Sequence, residues 1–178
     1  MKRFAVLQLS GCAGCEVALL NAEAWVAEYK LVYMPLVVSA EDVPEVDVLL
    51  ISGGVRTDED LYKLRRAVKK AQQVVAVGTC ALSGGVAQFK GNHIARESFL
   101  KASHRLRLPD MLPNAYPIDR FVDVDLYLPG CPPTPQLFMT ALKDPENAKI
   151  AAIVCQECGR QKLNDMRPTS ITGPRSGV

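Results

Sequence analysis

The chain has 178 residues, of which 48% are hydrophobic and 22% charged, values that are ordinary for a globular protein with one real core. Its net charge of +2 gives no indication of nucleic acid or an anionic membrane as a partner. No apolar run approaches the roughly 18–20 residues that span a bilayer. Six cysteines without a secretion signal favour metal binding or catalysis over disulfides, and they predict a reducing, cytoplasmic location.

Strands and helices alternate in the predicted order of elements. Apolar runs predict strands over residues 3–9, 31–38, 46–52, 74–77 and 125–128, and Pro35 suits an edge position for the second strand. Helices are predicted over residues 14–29, from about 57 to 71, over 94–102 and over 134–142. This alternation predicts an α/β fold, with a parallel sheet and right-handed crossovers.

Two of the predicted helices carry further information. The helix over 14–29 is apolar nearly all round, so we expect it to be buried in a core or against a partner. The helix after Thr57 has a good N-cap, acidic residues in its first turn and basic residues at its other end.

The segment from about 88 to 122 has no clear period, and we expect an irregular excursion of functional importance there.

The C-terminal residues differ in character from the rest. An apolar run over 150–154 precedes Cys155 and Cys158, and the polar residues after this pair predict a loose, irregular tail. We therefore expect one domain over residues 1–150 and the start of a C-terminal cluster-binding region over 151–178. The pair is a half-site for zinc or a second cluster, with His93 or His104 as candidate further ligands. It could equally form a redox-active dithiol or bind nothing.

The other four cysteines follow three predicted strands. Cys12 and Cys15 follow the first strand, Cys80 the fourth and Cys131 the fifth, each in a loop rich in glycine or proline. The carboxyl ends of parallel strands meet at one edge of a sheet, so we expect the four thiols to converge there. Four converging thiolates are what a [4Fe-4S] cluster requires. Nearby glycines should let backbone amides approach the sulfurs: Gly11, Gly14, Gly84 and Gly85.

Zinc is the main alternative for this site, because structural zinc also takes four cysteines. It usually takes them as two close pairs, whereas this set has one pair and two separate single cysteines. A disulfide or a group of buried thiols is a further alternative.

Three motifs resemble those of the small subunit of [NiFe] hydrogenases: residues 10–16 (SGCAGCE), 78–85 (GTCALSGG) and 129–133 (PGCPP). The resemblance covers about residues 3–160. It is strongest to the cytoplasmic methyl-viologen-reducing (coenzyme-F420-non-reducing) gamma type and to the related sulfhydrogenase delta subunit. It implies a flavodoxin-like domain with helices on both faces of the sheet. It also implies that Cys12, Cys15, Cys80 and Cys131 hold a proximal [4Fe-4S] cluster.

The resemblance further implies a subunit of an oxidoreductase acting on hydrogen, with no catalytic residue of its own. The nickel-iron centre would lie in a large-subunit partner. Electrons would pass through this chain to a further electron-transfer subunit or a heterodisulfide-reductase-type complex. Glu16 is then a candidate proton relay, or simply a carboxylate favoured by the helix dipole. More clusters would lie beyond Cys158, and because residue 178 follows with no further cysteine, we expect an incomplete chain or a missing relay.

Two other functions compete with this one. The first is the cluster-bearing subunit of a complex-I-like oxidoreductase, which typically has adjacent cysteines in its first loop. In this chain Ala13 and Gly14 separate Cys12 from Cys15, which favours the hydrogenase. The second is a zinc-stabilised interaction module without redox function.

Overall fold

A five-stranded parallel sheet is the centre of the computed structural model, which describes residues 1–38, 40–85 and 109–143. Its strands are β1 (Lys2–Gln8), β2 (Tyr29–Tyr33), β3 (Val46–Ser52), β5 (Ala71–Val77) and β7 (Leu126–Leu128). They lie in the order β2-β1-β3-β5-β7, and every neighbouring pair is parallel. Counted within the sheet, this is the 2-1-3-4-5 order of flavodoxin-like folds, so the predicted fold class is confirmed.

Helices cover both faces of this sheet. Alternate residues of β1 point to opposite sides, so Phe4 and Val6 belong to one core and Ala5 and Leu7 to the other. The first core packs against α1 (Gly14–Leu20) and α5 (Pro135–Lys143). The second packs against α3 (Asp58–Val68) and α4 (Gly78–Ser83).

The prediction of one continuous helix over residues 14–29 is wrong. It is divided into α1 and α2 (Trp25–Glu28), with Asn21 at the C-cap of α1. The indole N–H of Trp25 donates a hydrogen bond to the Leu19 carbonyl at 2.9 Å, and its ring packs edge-on against Phe4 at 5.2 Å. These contacts end the helix by giving the carbonyl a partner from outside the helical ladder. Val17 and Val26 are 53% and 58% exposed, so much of the predicted apolar face lies outside the core.

A second, two-stranded sheet lies beside the first. Strands β4 (Val55–Thr57) and β6 (Met111–Tyr116) pair in antiparallel orientation. Neither was predicted, because both are short, β6 contains Pro113, and the pairing joins segments far apart along the chain. Thr57 is the N-cap of α3 as predicted, and it forms a reciprocal capping box with Asp60.

Several element boundaries also differ from the prediction. β2 begins at Tyr29 and ends at Tyr33, and Met34 bridges to Val38 across a turn that contains Pro35. β2 lies at an edge of the sheet, as that proline indicated. Cys80 lies in α4 and not in an open loop. No helix in the described ranges is both long and apolar enough to cross a membrane.

Several sequence predictions fall outside the described residues. These are the helix over 94–102, both histidines, and the C-terminal residues that include Cys155 and Cys158. The division into domains 1–150 and 151–178 stays a prediction.

Candidate metal centre

All four cysteines of the predicted cluster site line one pocket at the carboxyl-end edge of the sheet. Cys12 and Cys131 are exposed, Cys15 and Cys80 are half-buried, and all four are free thiols. The convergence expected from the parallel topology is therefore present in the structure. The end of β3 also lines this pocket, through Ser52 and Gly53, which the sequence analysis did not predict.

The loop that carries Cys12 and Cys15 is held against the turn after β3. Ser10 and Gly54 exchange backbone hydrogen bonds of 2.9 and 3.2 Å. A Cβ atom at Gly11 would lie 3.1 Å from the Cα of Gly53, a tight contact, so glycine at this position favours the close approach of the two turns. Ala13 adopts a left-handed conformation with φ 62° as the N-cap of α1, directly between the two cysteines.

Two glycines make room for the sulfur atoms. Gly78 has φ +79°, and a Cβ there would lie 2.4 Å from the Sγ of Cys15. Gly85 has φ +59°, and a Cβ there would lie 2.6 Å from the Sγ of Cys80. Gly85 was among the glycines predicted to lie close to the sulfurs, whereas Gly78 was not. The feature of the sequence that could have indicated the role of Gly78 is its position between a buried strand and the Thr79-Cys80 pair.

The Cys80 and Cys131 segments are hydrogen-bonded to each other. The Thr79 backbone N–H donates to the Gly130 carbonyl at 2.8 Å, and the Thr79 hydroxyl donates to the same oxygen at 3.1 Å. The peptide bond between Cys131 and Pro132 is cis. Across the pocket, the Cys15 thiol donates to the Val77 carbonyl at 3.9 Å, so the first cysteine loop also contacts the end of β5.

Negative charge is poorly tolerated in this pocket when no metal is bound. Burial, followed by the charges of Glu16, Cys80, Cys12 and Cys131, raises the pKa of the Cys15 thiol to about 12. Burial is also the main cause that raises the pKa of Cys80, followed by the charges of Cys131, Cys12 and Glu16. Four neighbouring thiolates would therefore need a cationic metal centre to replace their protons.

Glu16 lies in the first turn of α1 and is only 1% exposed. The Ser52 hydroxyl donates a hydrogen bond to its Oε1 atom, whereas Oε2 has no hydrogen-bond partner within the described residues. A buried oxygen without a partner is costly, so Glu16 is an unusual residue for a purely structural position. Its predicted role as a proton relay stays a prediction.

Four thiols are a donor set that suits a [4Fe-4S] cluster. Within residues 1–38, 40–85 and 109–143, no three His, Cys, Asp or Glu side chains are placed to hold one metal ion. A single zinc ion draws its ligands to about 2.3 Å from one point. In a cubane cluster each thiolate binds a different iron atom, so the four sulfurs are spread around a larger core. Four thiols around a pocket with space kept free by Gly78 and Gly85 suit the second arrangement.

The family to which the chain belongs follows from comparison with known proteins. Residues 12–144 match the family described as NADH ubiquinone oxidoreductase, 20 Kd subunit, and the chain belongs to this family. The match begins at Cys12 and includes all four cysteines of the pocket.

Hydrogenase subunits are among the relatives of this chain. The F420-non-reducing hydrogenase vhu subunits G of Methanococcus voltae and Methanocaldococcus jannaschii are both 33% identical, over 91% and 89% of this chain. The chain covers 63% and 62% of the length of these two relatives. The sulfhydrogenase 2 subunit delta of Pyrococcus furiosus is 29% identical over 92% of this chain and 70% of its own length. The resemblance to hydrogenase small subunits is thus confirmed.

Solved structures agree with this relationship. A chain of an NAD⁺-reducing [NiFe]-hydrogenase in the H₂-reduced state superposes with a TM-score of 0.71 and 33% identity, over 81% of this chain and 90% of that one. A chain of the [NiFeSe] hydrogenase from Desulfovibrio vulgaris Hildenborough has a TM-score of 0.60 at 22% identity, over 80% of this chain and 58% of its own, and supports the fold alone.

Proposed function

We propose that this chain is the electron-transfer small subunit of a cytoplasmic [NiFe] hydrogenase of the F420-non-reducing type. In this proposal Cys12, Cys15, Cys80 and Cys131 hold one proximal [4Fe-4S] cluster. The observation that carries the proposal is the convergence of these four free thiols on one pocket from three separate strand ends. The names of the relatives support the assignment to a hydrogenase.

The residues of this chain would bind the cluster and leave one side of it accessible. When bound, the cluster supplies one-electron transfer. Cys15 and Cys80 lie on the inner side of the pocket, whereas Cys12 and Cys131 are exposed. Val17, two residues after Cys15 on α1, is 53% exposed and could offer an apolar contact to a partner. A large subunit with the nickel-iron centre would dock there and exclude water.

Roles beyond this first electron transfer are also part of the proposal. A further electron-transfer subunit or a heterodisulfide-reductase-type complex would accept the electrons. Glu16 would move protons near the cluster, an idea supported by its burial and by the Oε2 atom that has no partner among the described residues. Cys155 and Cys158 would belong to a further cluster in the C-terminal region.

A complex-I-like subunit is the second candidate, because the description of the matching family names that enzyme. The hydrogenase is preferred because relatives with 29–33% identity over about nine-tenths of this chain carry hydrogenase names. Both candidates place a cluster in the same pocket, and they differ in the partner and in the spacing of the first two cysteines, which Ala13 and Gly14 separate in this chain.

The test replaces Cys80 with serine in the chain co-produced anaerobically with its large subunit. We expect Cys80→Ser to lower the four-iron signal and hydrogen-dependent dye reduction, while nickel stays bound to the partner. Ser83→Ala is the matched control, since Ser83 lies one turn away on the same helix and its hydroxyl donates to the Thr79 carbonyl at 2.9 Å. Full activity and an intact four-iron signal in Cys80→Ser would overturn the assignment of this ligand. A colourless wild-type protein that contains zinc would overturn the proposed function.

A further inference from the structure

The carboxylate of Asp60 connects the start of α3 to the first cysteine loop. Its Oδ2 atom accepts three hydrogen bonds: from the Thr57 N–H at 2.9 Å, from the Arg56 N–H at 3.0 Å and from the Ser10 hydroxyl at 2.7 Å. The first two are local and belong to the capping of α3. The third comes from a residue 50 positions away, two residues before Cys12. Helix capping does not require this third bond.

Ser10 is fixed from two directions. Its backbone exchanges both hydrogen bonds with Gly54, and its side chain is held by Asp60. The neighbouring Gly11 packs so closely on Gly53 that even a Cβ atom would be crowded. The segment between Ser10 and Cys12 therefore has little freedom, and a change in the position of Ser10 must be transmitted to the Cys12 sulfur.

We infer that Asp60 is a positioning residue for the metal centre, which acts through the Ser10 hydroxyl to fix the loop that carries Cys12 and Cys15. The inference rests on the proposed function, since it concerns how the four-cysteine pocket holds a cluster. A hydrogen bond to a charged carboxylate is stronger than one between neutral groups, which makes this contact suited to holding a loop. Residues that orient metal ligands in this way typically affect metal affinity by about 10- to 100-fold when replaced.

The test compares loss of the Ser10 contact to the Asp60 carboxylate with loss of a capping bond to the Asp60 backbone. Ser10→Ala removes the contact with the loop and leaves the capping of α3 in place. Thr57→Ala is the matched control, because it removes the hydroxyl that accepts from the Asp60 N–H at 3.1 Å and leaves Ser10 unchanged. Each full-length variant is reconstituted anaerobically with iron and sulfide. Three properties are then measured: the rate of iron loss to a chelator, the reduction potential, and the electron paramagnetic resonance spectrum of the reduced protein.

We expect Ser10→Ala to lose iron about tenfold faster than the wild type and to shift both the potential and the spectrum. Thr57→Ala should unfold at a lower temperature but keep the wild-type rate, potential and spectrum. Ser10→Thr retains a hydroxyl and should restore the wild-type values. Adding Asp60→Ala to Ser10→Ala should not change the cluster further, because both remove the same contact.

The inference is overturned if Ser10→Ala and Thr57→Ala hold the cluster equally well, with the same potential and spectrum. That outcome would reduce Asp60 to a helix cap and would leave the proposed function intact. If the wild-type chain itself takes up no four-iron cluster, both the proposed function and this inference fail.

Discussion

Replacing Gly78 with alanine separates the stability of the fold from its ability to hold a cluster. Gly78 has a positive φ of +79°, which an alanine tolerates at a cost of roughly 1–2 kcal/mol. For a chain of this length we expect the midpoint of thermal unfolding of the metal-free protein to fall by about 2–8 °C. The second effect is steric, because the new Cβ would lie 2.4 Å from the Cys15 sulfur.

The steric effect is small without metal and large with it. Non-bonded heavy atoms in favourable contact are about 3.5–4.0 Å apart, so the Cys15 sulfur must move by about 1 Å or more. In the metal-free protein this sulfur is the end of a half-buried side chain, and its contact with the Val77 carbonyl at 3.9 Å is weak. It can therefore rotate away. As a cluster ligand it has no such freedom, since its position is fixed by iron.

The steric effect on cluster binding is measured after anaerobic reconstitution. The assay determines the content of iron and acid-labile sulfide and records the spectrum of the reduced protein. We expect Gly78→Ala to fall well below four irons per chain. Gly84→Ala measures the effect of a similar positive φ, of +81°, on the midpoint of unfolding of the metal-free protein, so that backbone strain can be separated from the contact with Cys15. If Gly78→Ala retained four irons and a wild-type spectrum, the reasoning about the space for Cys15 would be refuted.

Two further predictions concern Tyr29, whose buried hydroxyl donates a hydrogen bond from β2 to the Leu142 carbonyl near the end of α5. Tyr29→Phe should lower the free energy of unfolding by about 1 kcal/mol in a urea titration, and an unchanged midpoint would contradict the importance of this bond. Burial, followed by the charge of Glu28, raises the pKa of Tyr29 above its ordinary value. The stabilisation linked to this raised pKa is fully present below a pH of about 10 and is lost as the pH rises further. Urea titrations at pH 8 and pH 11 should show a smaller alkaline loss in Tyr29→Phe than in the wild type, and equal losses would contradict the prediction.

The sheet and the position of the cysteines could be predicted because they depend on local patterns. The buried strand β3 has a continuous apolar run, and strand-helix alternation sets the parallel topology without knowledge of any particular contact. Once the strands are parallel, loops that follow β1, β5 and β7 must lie at one edge. The N-cap at Thr57 was equally readable, since the cap and the acidic residues of the first turn lie within four positions of each other.

The features that were missed depend on contacts between distant residues. The end of α1 depends on the indole of Trp25 and on its packing against Phe4. The spacing of apolar residues along the helix does not predict either contact. The pairing of β4 with β6 joins Val55 to Tyr116, β4 has only three residues, and Pro113 obscures the strand pattern of β6. The role of Gly78 becomes visible only when the Cys15 sulfur is known to lie where its side chain would be.

The cysteine pocket includes the loop after β7, which is an edge strand of the sheet. A metal centre in this pocket would therefore affect the stability of the sheet edge. β7 has only three residues and pairs with β5 alone, so the Cys131 loop has few attachments. Among those described, the strongest are the two hydrogen bonds from Thr79 to the Gly130 carbonyl. A cluster that bound Cys131 together with Cys12, Cys15 and Cys80 would connect β7 covalently to loops that follow β1 and β5. Since a preformed site rarely exists in an unfolded chain, its binding energy would contribute to the stability of the fold, and most of all to the attachment of this edge strand.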